Sequence, residues 1–598
     1  MKDTKNDKLP GDPTLSACMI VKNEEKLLPQ CLNSIKGVVD EIIIVDTGST
    51  DRTVEIAKSY GAKVYHHPWT GNFSESRNHS IKYATCDWIM IVDADEELEK
   101  EDIPLLRTAL RNKESITIIF QVLSYLPNGI SKNASQRIFR RGKGHYDGIV
   151  HNQLICEGNA LVTQIRLYHY GYNLGKEQMK KKHKRTEDLL KQQISEDPGN
   201  VYALSNLIRI YRCQKKWDDV IKTAEEALNL DPHPRNVNEL AYQMILCDMT
   251  YSLLEIGQAV RAEKIGMELI RSYPENIDGQ FYMGNVCLSR GDYQRAIRHY
   301  MKYLRLVEQD AQQRLKFTAL IIDSYESQAQ AWNNAGSCYI HLDQLDKAAM
   351  AFRNALKHDN KLPMYHENLA RTLSTQGKVG EAKKVLKEAL ESGISDSSIH
   401  HLLSNTHRSQ GEIDPAIKQI RKALEIDRTD TKYHVCLGEL LMAKAKLQEQ
   451  NVDSLLTEAE DILKEAYELA PGRIEVLHNL AVVSALLHRE KQASKYTEKI
   501  MELDNINSEK YMHMGNDWFF AEENGKAIMF YEKSLMLDPN NHVALVNLAT
   551  SYAKLGMYES AITGYRAALA MNPNDSTIRK NLLAMEREIN EAIMAGSK

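Results

Sequence analysis

The sequence predicts an α/β domain followed by an all-α domain, and three observations carry that expectation. Short apolar runs alternate with helix-patterned segments over the first 170 or so residues. From about residue 196 only the helical pattern remains, and there small residues recur at a fixed interval. At 598 residues the chain is long enough for more than one domain.

In the first part, "TLSACMIV", "EIIIVD", "AKVYHH", "WIMIVDAD" and "ITIIFQVL" each have the length and apolar content of a buried strand. Between them, "NEEKLLPQCLNSIKG", "STDRTVEIAKSYG" and "SESRNHSIKYAT" carry apolar residues at helical spacing, and two of these end at glycine, a common helix stop. Strand–helix–strand order with connections of this length predicts a mainly parallel sheet covered by helices.

In the second part, Pro471, Pro539 and Pro573 fall on one 34-residue comb, with Asn505 at the missing tooth. Ala481, Gly515 and Ala549 form a second series, and Ala493, Ala527 and Ala561 a third. Paired helices need a small residue where they cross and a proline-tolerant break between pairs. A 34-residue period is that of tetratricopeptide repeats, which stack into a solenoid. About ten units are expected over 196–575, looser near 233–273 and 431–470, with 576–598 as a charged capping helix. Residues 1–13 are expected to form a disordered tail, 14–175 the α/β domain and 176–195 a helical connector.

Composition excludes several functional classes. A formal net charge of −5 gives no global drive toward nucleic acid or an anionic membrane surface. No apolar run approaches the roughly 20 residues that span a bilayer, and the polar start "MKDTKNDKLPGDP" lacks the core of a signal peptide. The nine cysteines show no CxxC pair, which argues for free thiols in a reducing compartment and against a disulfide or zinc framework. The expectation is a cytoplasmic protein without nucleic-acid partner or membrane insertion; a homo-oligomer stays open.

The stretch "CDWIMIVDADEELEK" drives an apolar strand into an acidic cluster. Ligands of open α/β sheets bind at the carboxyl ends of strands, and strand alternation sends Asp93 and Asp95 to one side. Two converging carboxylates are costly unless something positive joins them. A hard divalent cation that keeps positions open for phosphate oxygens suits them. The alternative is an acidic helix N-terminus favoured by the helix dipole. A second strand, "EIIIVDTGSTDRT", ends in Asp46 and a tight polar turn, where Asp46 either accepts from a nucleobase N–H or merely forms the turn.

Taken with "MIVKNEEKLLPQCLNSI", these stretches resemble family 2 glycosyltransferases of the GT-A fold. Asn23-Glu24, "IVDTGSTD" at Ile44–Asp51, the Asp93-Ala94-Asp95 triplet and "SESRNHSIKYAT" carry the resemblance, which covers about residues 14–175. It implies an N-terminal GT-A nucleotide-sugar-binding domain in which Val21, Glu24 and Asp46 line the nucleoside pocket. Arg77 reaches the base or diphosphate as a fixed cation, and Arg137 joins the nucleotide-sugar set. Asp93 meets the ribose or metal, and Asp95 ligates Mn²⁺ or Mg²⁺. Glu97 is either a further ligand or an exposed helix acid.

On the acceptor side, Arg137-Ile138-Phe139, Gly148-Ile149-Val150-His151-Asn152 and His169-Tyr170-Gly171-Tyr172 resemble a subgroup that includes glycocin-type peptide S-glycosyltransferases. That subgroup usually has Glu where this chain has Asn152. An amide cannot act as a base, so the task falls to another group, with His151 or Asp147 the candidates. His151 or His169 is also open to completing the metal shell, and His169 is placed there. The basic run Lys176–Asp188 is read as a solvated helix face, and the repeat aromatics as core.

The implied reaction is inverting transfer of a sugar, GlcNAc or glucose, from a UDP-sugar donor to a protein acceptor held by the repeats. Ser/Thr of flagellin is the leading acceptor. The alternatives are a peptide Cys, a glycan or lipid-linked acceptor with the repeats as assembly scaffold, and a decayed, non-catalytic scaffold.

Overall fold

A computed structural model describes residues 11–126, 129–172, 175–230, 239–312, 321–448, 450–503 and 506–596. Most of the expected N-terminal tail, Asn505 of the proline comb, and 231–238 lie outside the described residues. The chain divides into two compact units, residues 1–359 and 360–598. The division falls within the repeats, so the first unit holds both the sheet and the earliest helix pairs.

The sheet begins with β1 (Leu15–Val21), α1 (Leu28–Ile35), β2 (Glu41–Asp46), α2 (Thr53–Ser59), β3 (Lys63–His66), α3 (Phe73–Ile81) and β4 (Trp88–Ile91). These strands lie in the order β3-β2-β1-β4 and pair in parallel. β1 and β4 are buried on both faces, which explains their near-continuous apolar runs. Because β2 and β3 extend to one side of β1 and β4 to the other, strand order reverses between β1 and β4. Such a switch point opens a crevice beyond the strands' carboxyl ends.

The remainder departs from the mainly parallel expectation. After β5 (Glu96–Leu98) and α4 (Ile103–Leu110) come β6 (Thr117–Leu126), β7 (Gly129–Arg140), β8 (Gly144–Asp147), β9 (Gln153–Cys156) and β10 (Ala160–His169). The sheet continues β4-β7-β6-β10-β5, with β7 antiparallel to both neighbours and β5 antiparallel to β10. β8 and β9 form a separate antiparallel pair. Asp93, Asp95 and Glu96 do not open a helix: they lead into the three-residue β5, and only the later acids Glu99, Glu101 and Asp102 enter a single 3-10 turn, Lys100–Asp102, before α4 at Ile103. The helix-dipole explanation of the acidic cluster is thereby removed.

The connector is α5 (Lys176–Glu196). The helix pairs of the first unit follow as α6 (Val201–Cys213), α7 (Trp217–Leu230), α8 (Glu239–Glu255), α9 (Ala259–Ser272), α10 (Ile277–Ser289), α11 (Tyr293–Ala311), α12 (Gln328–His341) and α13 (Leu345–His358). The second unit runs from Pro363–Thr375 to the terminal helix Ser576–Gly596, and its elements among the described residues are all helices. Within a pair, the turn carries one left-handed residue, and these recur at the repeat period: Gly257 and Gly291 in the first unit, Gly377 and Gly411, then His488, Glu522 and Gly556, in the second. Such a residue ends the first helix and frees the next to start.

The small-residue series marks helix crossings. A Cβ on Gly284 would lie 2.5 Å from the Tyr300 ring, one on Gly336 2.5 Å from Phe352, and one on Gly515 2.6 Å from Tyr531. Those rings are fully buried and have no room to retreat. Gly515→Ala is therefore expected to destabilise the second unit by about 1–3 kcal/mol through overpacking, read as a lower midpoint in urea unfolding.

Candidate active site

The crevice at the switch point gathers the ends of β1, β2 and β4. Asn23, in the left-handed conformation, ties the first two loops together: its Oδ1 accepts from the Thr50 N–H at 2.7 Å, and its own N–H donates to Ser49 Oγ at 3.0 Å. The Glu24 N–H donates to Thr53 Oγ1 at 2.8 Å. Asp46 is buried and accepts from the Ser49 N–H at 3.0 Å, while His66 Nδ1 stands 3.2 Å from its Oδ2. Val21 ends β1, with its carbonyl accepting from the Thr47 N–H.

Beyond β4, three acids meet two arginines and a histidine. Arg77, projected by α3, donates to both Asp93 oxygens, at 2.8 and 3.0 Å. Arg137 of β7 donates to Glu96 Oε1 at 2.6 Å and stands 3.8 Å from Asp93. His169, at the end of β10, places Nε2 3.3 Å from Asp95 Oδ2. Glu96 also accepts from the Asp93 N–H at 2.8 Å, which knits the turn. The Arg77 guanidinium lies 5.2 Å over the Tyr146 ring. Nε of both arginines is buried without a hydrogen-bond partner.

The charges follow from these contacts. Burial would raise Asp93, but Arg77, Arg137 and His169 outweigh it and hold its carboxyl down at about 2. Burial also works to raise Asp95, and its bond to His169 brings it below the usual range, with the imidazole raised in return. For Glu96 burial prevails over Arg137, helped by the Asp93 charge, and lifts the acid to about 7. Glu24 is lifted to about 7 by burial and by Asp95. The site thus keeps Asp93 and Asp95 ionised and Glu96 poised near neutrality.

Among the described residues, no group of three or more His, Cys, Asp or Glu side chains is arranged to hold a metal ion alone. Asp95 and His169 form a two-group set with Asp93 beside it, and cations that bridge phosphates commonly take only one or two carboxylates from the protein. The donor chemistry therefore fits a hard divalent cation completed by phosphate oxygens. Space around Asp95 is fixed: a Cβ on Gly171 would sit 1.9 Å from its Oδ2. Glu97 faces elsewhere, accepting from Gln30 Nε2 at 2.6 Å and the Tyr170 hydroxyl at 2.8 Å.

A cavity of about 1060 Å³ opens from this cluster. Arg77, Asp93, Arg137, His151, Asn152 and His169 line it, and so do residues of the first repeats. His151 adopts a left-handed conformation, φ 49°, uncommon outside glycine. Its loop is braced from two sides: Ser74 Oγ donates to the Gly148 carbonyl at 2.6 Å, and Gln193 Oε1 of α5 accepts from the Ile149 N–H at 3.1 Å. The His151 ring is open to the cavity, yet protein surrounds that space; with Arg209 and Lys182 nearby, the imidazole is pushed down to about 4. Asn152 Nδ2 is buried without a partner. Asp147 is exposed and does not line the cavity, so the structure separates the two base candidates.

Several contributors escaped the sequence reading. Glu96 and the pairing of Arg137 with it depend on the fold of β5 and β7. Lys182, read as part of a solvated face, donates to the Gly171 carbonyl at 3.0 Å and lies over the Tyr172 ring. The i, i+3, i+4 spacing of Met179, Lys182, His183 and Thr186 was the available signal for an inward face. Tyr202, Trp217 and Tyr251 of the repeats line the cavity as well.

Comparison with known proteins decides the kind of domain this is. Residues 16–195 match the family model described as Glycosyl transferase family 2. Residues 16–195 form a family 2 glycosyltransferase domain. Models described as Tetratricopeptide repeat match 203–237 and 521–585, and one described as Cilia and flagella-associated protein 70 C-terminal domain matches 283–469. Tetratricopeptide repeats therefore follow the glycosyltransferase domain. A TPR repeat-containing protein of Synechococcus elongatus is 36% identical over 205 residues, 32% of this chain and 51% of the relative. The SPbeta prophage-derived glycosyltransferase SunS of Bacillus subtilis is 31% identical over 226 residues, 36% of this chain and 54% of the relative. The chain spans about half the length of these curated relatives. Among solved structures, a tetratricopeptide repeat protein from Parabacteroides merdae aligns with TM-score 0.34 and 16% identity, over 43% of this chain and 98% of that one. No helix among the described residues is long and apolar enough to cross a membrane.

The imidazole of His151 offers a direct check. A depressed value in the folded state means the unfolded chain binds more protons below about 6.5. The stability this group contributes is present above that pH and lost as pH falls through 4. An NMR titration should place the His151 midpoint well below that of an ordinary histidine, and Arg209→Met should move it upward.

Proposed function

We propose that this protein is an inverting, metal-dependent glycosyltransferase that moves GlcNAc or glucose from a UDP-sugar to a protein acceptor, with flagellin Ser/Thr the leading target. The observation that carries the reading is the Asp93–Asp95–Glu96 cluster, faced by Arg77, Arg137 and His169, at the switch point of a family 2 domain. Val21, Glu24 and Asp46 sit at the neighbouring loop ends, where a nucleoside would lie. Asp95 and His169, with Asp93 beside them, would hold Mn²⁺ or Mg²⁺, which when bound supplies positive charge against the diphosphate. Arg77 and Arg137 both line the cavity and add fixed cationic donors for phosphate oxygens.

In the transfer, the acceptor oxygen bonds to the anomeric carbon as the bond from that carbon to the diphosphate oxygen breaks. UDP departs with the electron pair, and the acceptor proton passes to His151 Nε2 or Nδ1. His151 is the base in this reading because it is neutral at pH 7, lines the cavity and is rigidly braced, whereas Asp147 lies outside. Asn152 favours a second reading, transfer to a peptide Cys. A thiol loses its proton near pH 8.5 without a strong base, and a base held at about 4 serves it more readily than an alcohol.

The test is intact-mass measurement of flagellin, and of a Cys-containing peptide, after incubation with the full chain, Mn²⁺ and UDP-GlcNAc or UDP-glucose. One hexose or N-acetylhexosamine should be added, and His151→Ala should slow addition by about 10²-fold or more. Unmodified acceptors together with intact donor would contradict the reading.

A further inference from the structure

Helix α5 meets the site twice. Near its start, Lys182 Nζ donates to the Gly171 carbonyl at 3.0 Å and lies 4.5 Å over the Tyr172 ring. Gly171 packs directly on the Asp95 carboxylate and on His169 Nε2, and the Tyr172 ring meets the His169 ring edge-on at 4.7 Å. Further along, Gln193 Oε1 accepts from the consecutive N–H groups of Ile149 and Val150, at 3.1 and 3.4 Å, beside His151. The step from Lys182 to Gln193 is about three full turns, so the two side chains share one stripe of the helix.

Between these contacts α5 is pinned to the repeats. Buried Glu187 accepts from Gln214 at 3.0 Å and from Lys216 at 3.1 Å. Leu190 shares a core cluster with Val150 of the His151 loop and with Leu204, Leu207 and Ile208 of α6. The helix is thus held at its middle. On one side of the pin it touches the turn behind Asp95 and His169, and on the other it touches the loop that carries His151.

Lys182 differs from the other cations of the site. Arg77, Arg137 and His169 each face a carboxylate. Among the described residues no carboxylate pairs with Lys182, whose one hydrogen bond goes to a neutral carbonyl. An ammonium carries three donors, so this one has capacity to spare. Its charge is felt nearby: at Asp95 it opposes burial together with His169, and at Glu24 it opposes burial and the Asp95 charge. A phosphate arriving at Asp95 would find this ammonium beside it.

We propose that α5 is a lever between donor and base: a phosphate of the nucleotide-sugar binds Lys182, and the firmer seat of α5 tightens Gln193 on the His151 loop. The base is then set when the donor is in place. Gln193 is a positioning residue that acts through His151, whose left-handed backbone persists only where its surroundings fix it. Coupling of this kind is reciprocal, so the loop contact in turn favours donor binding. This inference rests on the transferase reading above.

Hydrogen exchange read by mass spectrometry on peptides covering 148–152 follows the Ile149 and Val150 amides in the wild-type full chain, with and without UDP and Mn²⁺. UDP should slow their exchange about fivefold or more, the low end of coupling between sites. In Lys182→Gln, saturating UDP should leave that exchange unchanged, and Lys182→Arg, which keeps the charge, should retain the slowing. Calorimetry supplies the reciprocal reading: Gln193→Leu should weaken UDP binding by a similar factor in the wild-type background and have no effect beside Lys182→Gln. Bound UDP without slowing in the wild type would overturn the lever and leave the transferase reading in place. Equal slowing in Lys182→Gln would do the same, routing the coupling through Ser74 and Arg77 of α3 instead. A wild-type chain that binds no UDP would overturn both.

Discussion

Crowding the half-buried Asp93 and Asp95 against the buried Glu96 is tolerable only because Arg77, Arg137 and His169 meet them. Carboxylates taken out of water cost several kcal/mol each unless paired, and here each partner comes from a different element: α3, β7 and the end of β10. The fold of the glycosyltransferase domain can be read as the arrangement that brings those three elements to the end of β4. The compensation is also uneven in a useful way. Asp93 and Asp95 are held ionised, while Glu96, deepest in the cluster, is lifted toward neutrality. A ligand that brings both a cation and a diphosphate changes this balance little, because charge of each sign arrives together.

The second constraint is the dependence of the site on the segments beyond the sheet. Gln193 of α5 holds the loop that strains His151, and Lys182 holds the Gly171 turn against Asp95. Arg209 of α6, paired with Asp323, adds positive charge near His151. The first repeats are thus part of the wall of the candidate site's cavity, and the compact unit that contains the sheet extends to residue 359. This differs from a picture in which a transferase simply carries a recognition arm.

Much of this was legible in the sequence where the signal is local. The apolar runs of β1, β2 and β4 and the acids at their ends stand in single stretches, and the 34-residue combs register helix crossings such as Gly515 on Tyr531 directly. What was not legible depends on pairing at a distance. β5 is three residues long, two of them acidic, and it becomes a strand only by pairing with β10 some 70 residues later. That pairing is why the acids belong to a strand end and not to a helix start. The antiparallel β7, the exclusion of Asp147 from the cavity and the inward face of α6 likewise follow from tertiary packing. Glu96 was visible as a residue, but its burial against Arg137 was not.

The central claim is that the ionised Asp95, with Asp93 and the two arginines, grips a cation–diphosphate pair. Isothermal titration calorimetry of UDP into the full chain addresses it without any acceptor. The account predicts binding in Mn²⁺ that is lost, by tenfold or more, in excess chelator and in Asp95→Ala. Equal UDP affinity in all three conditions would contradict it.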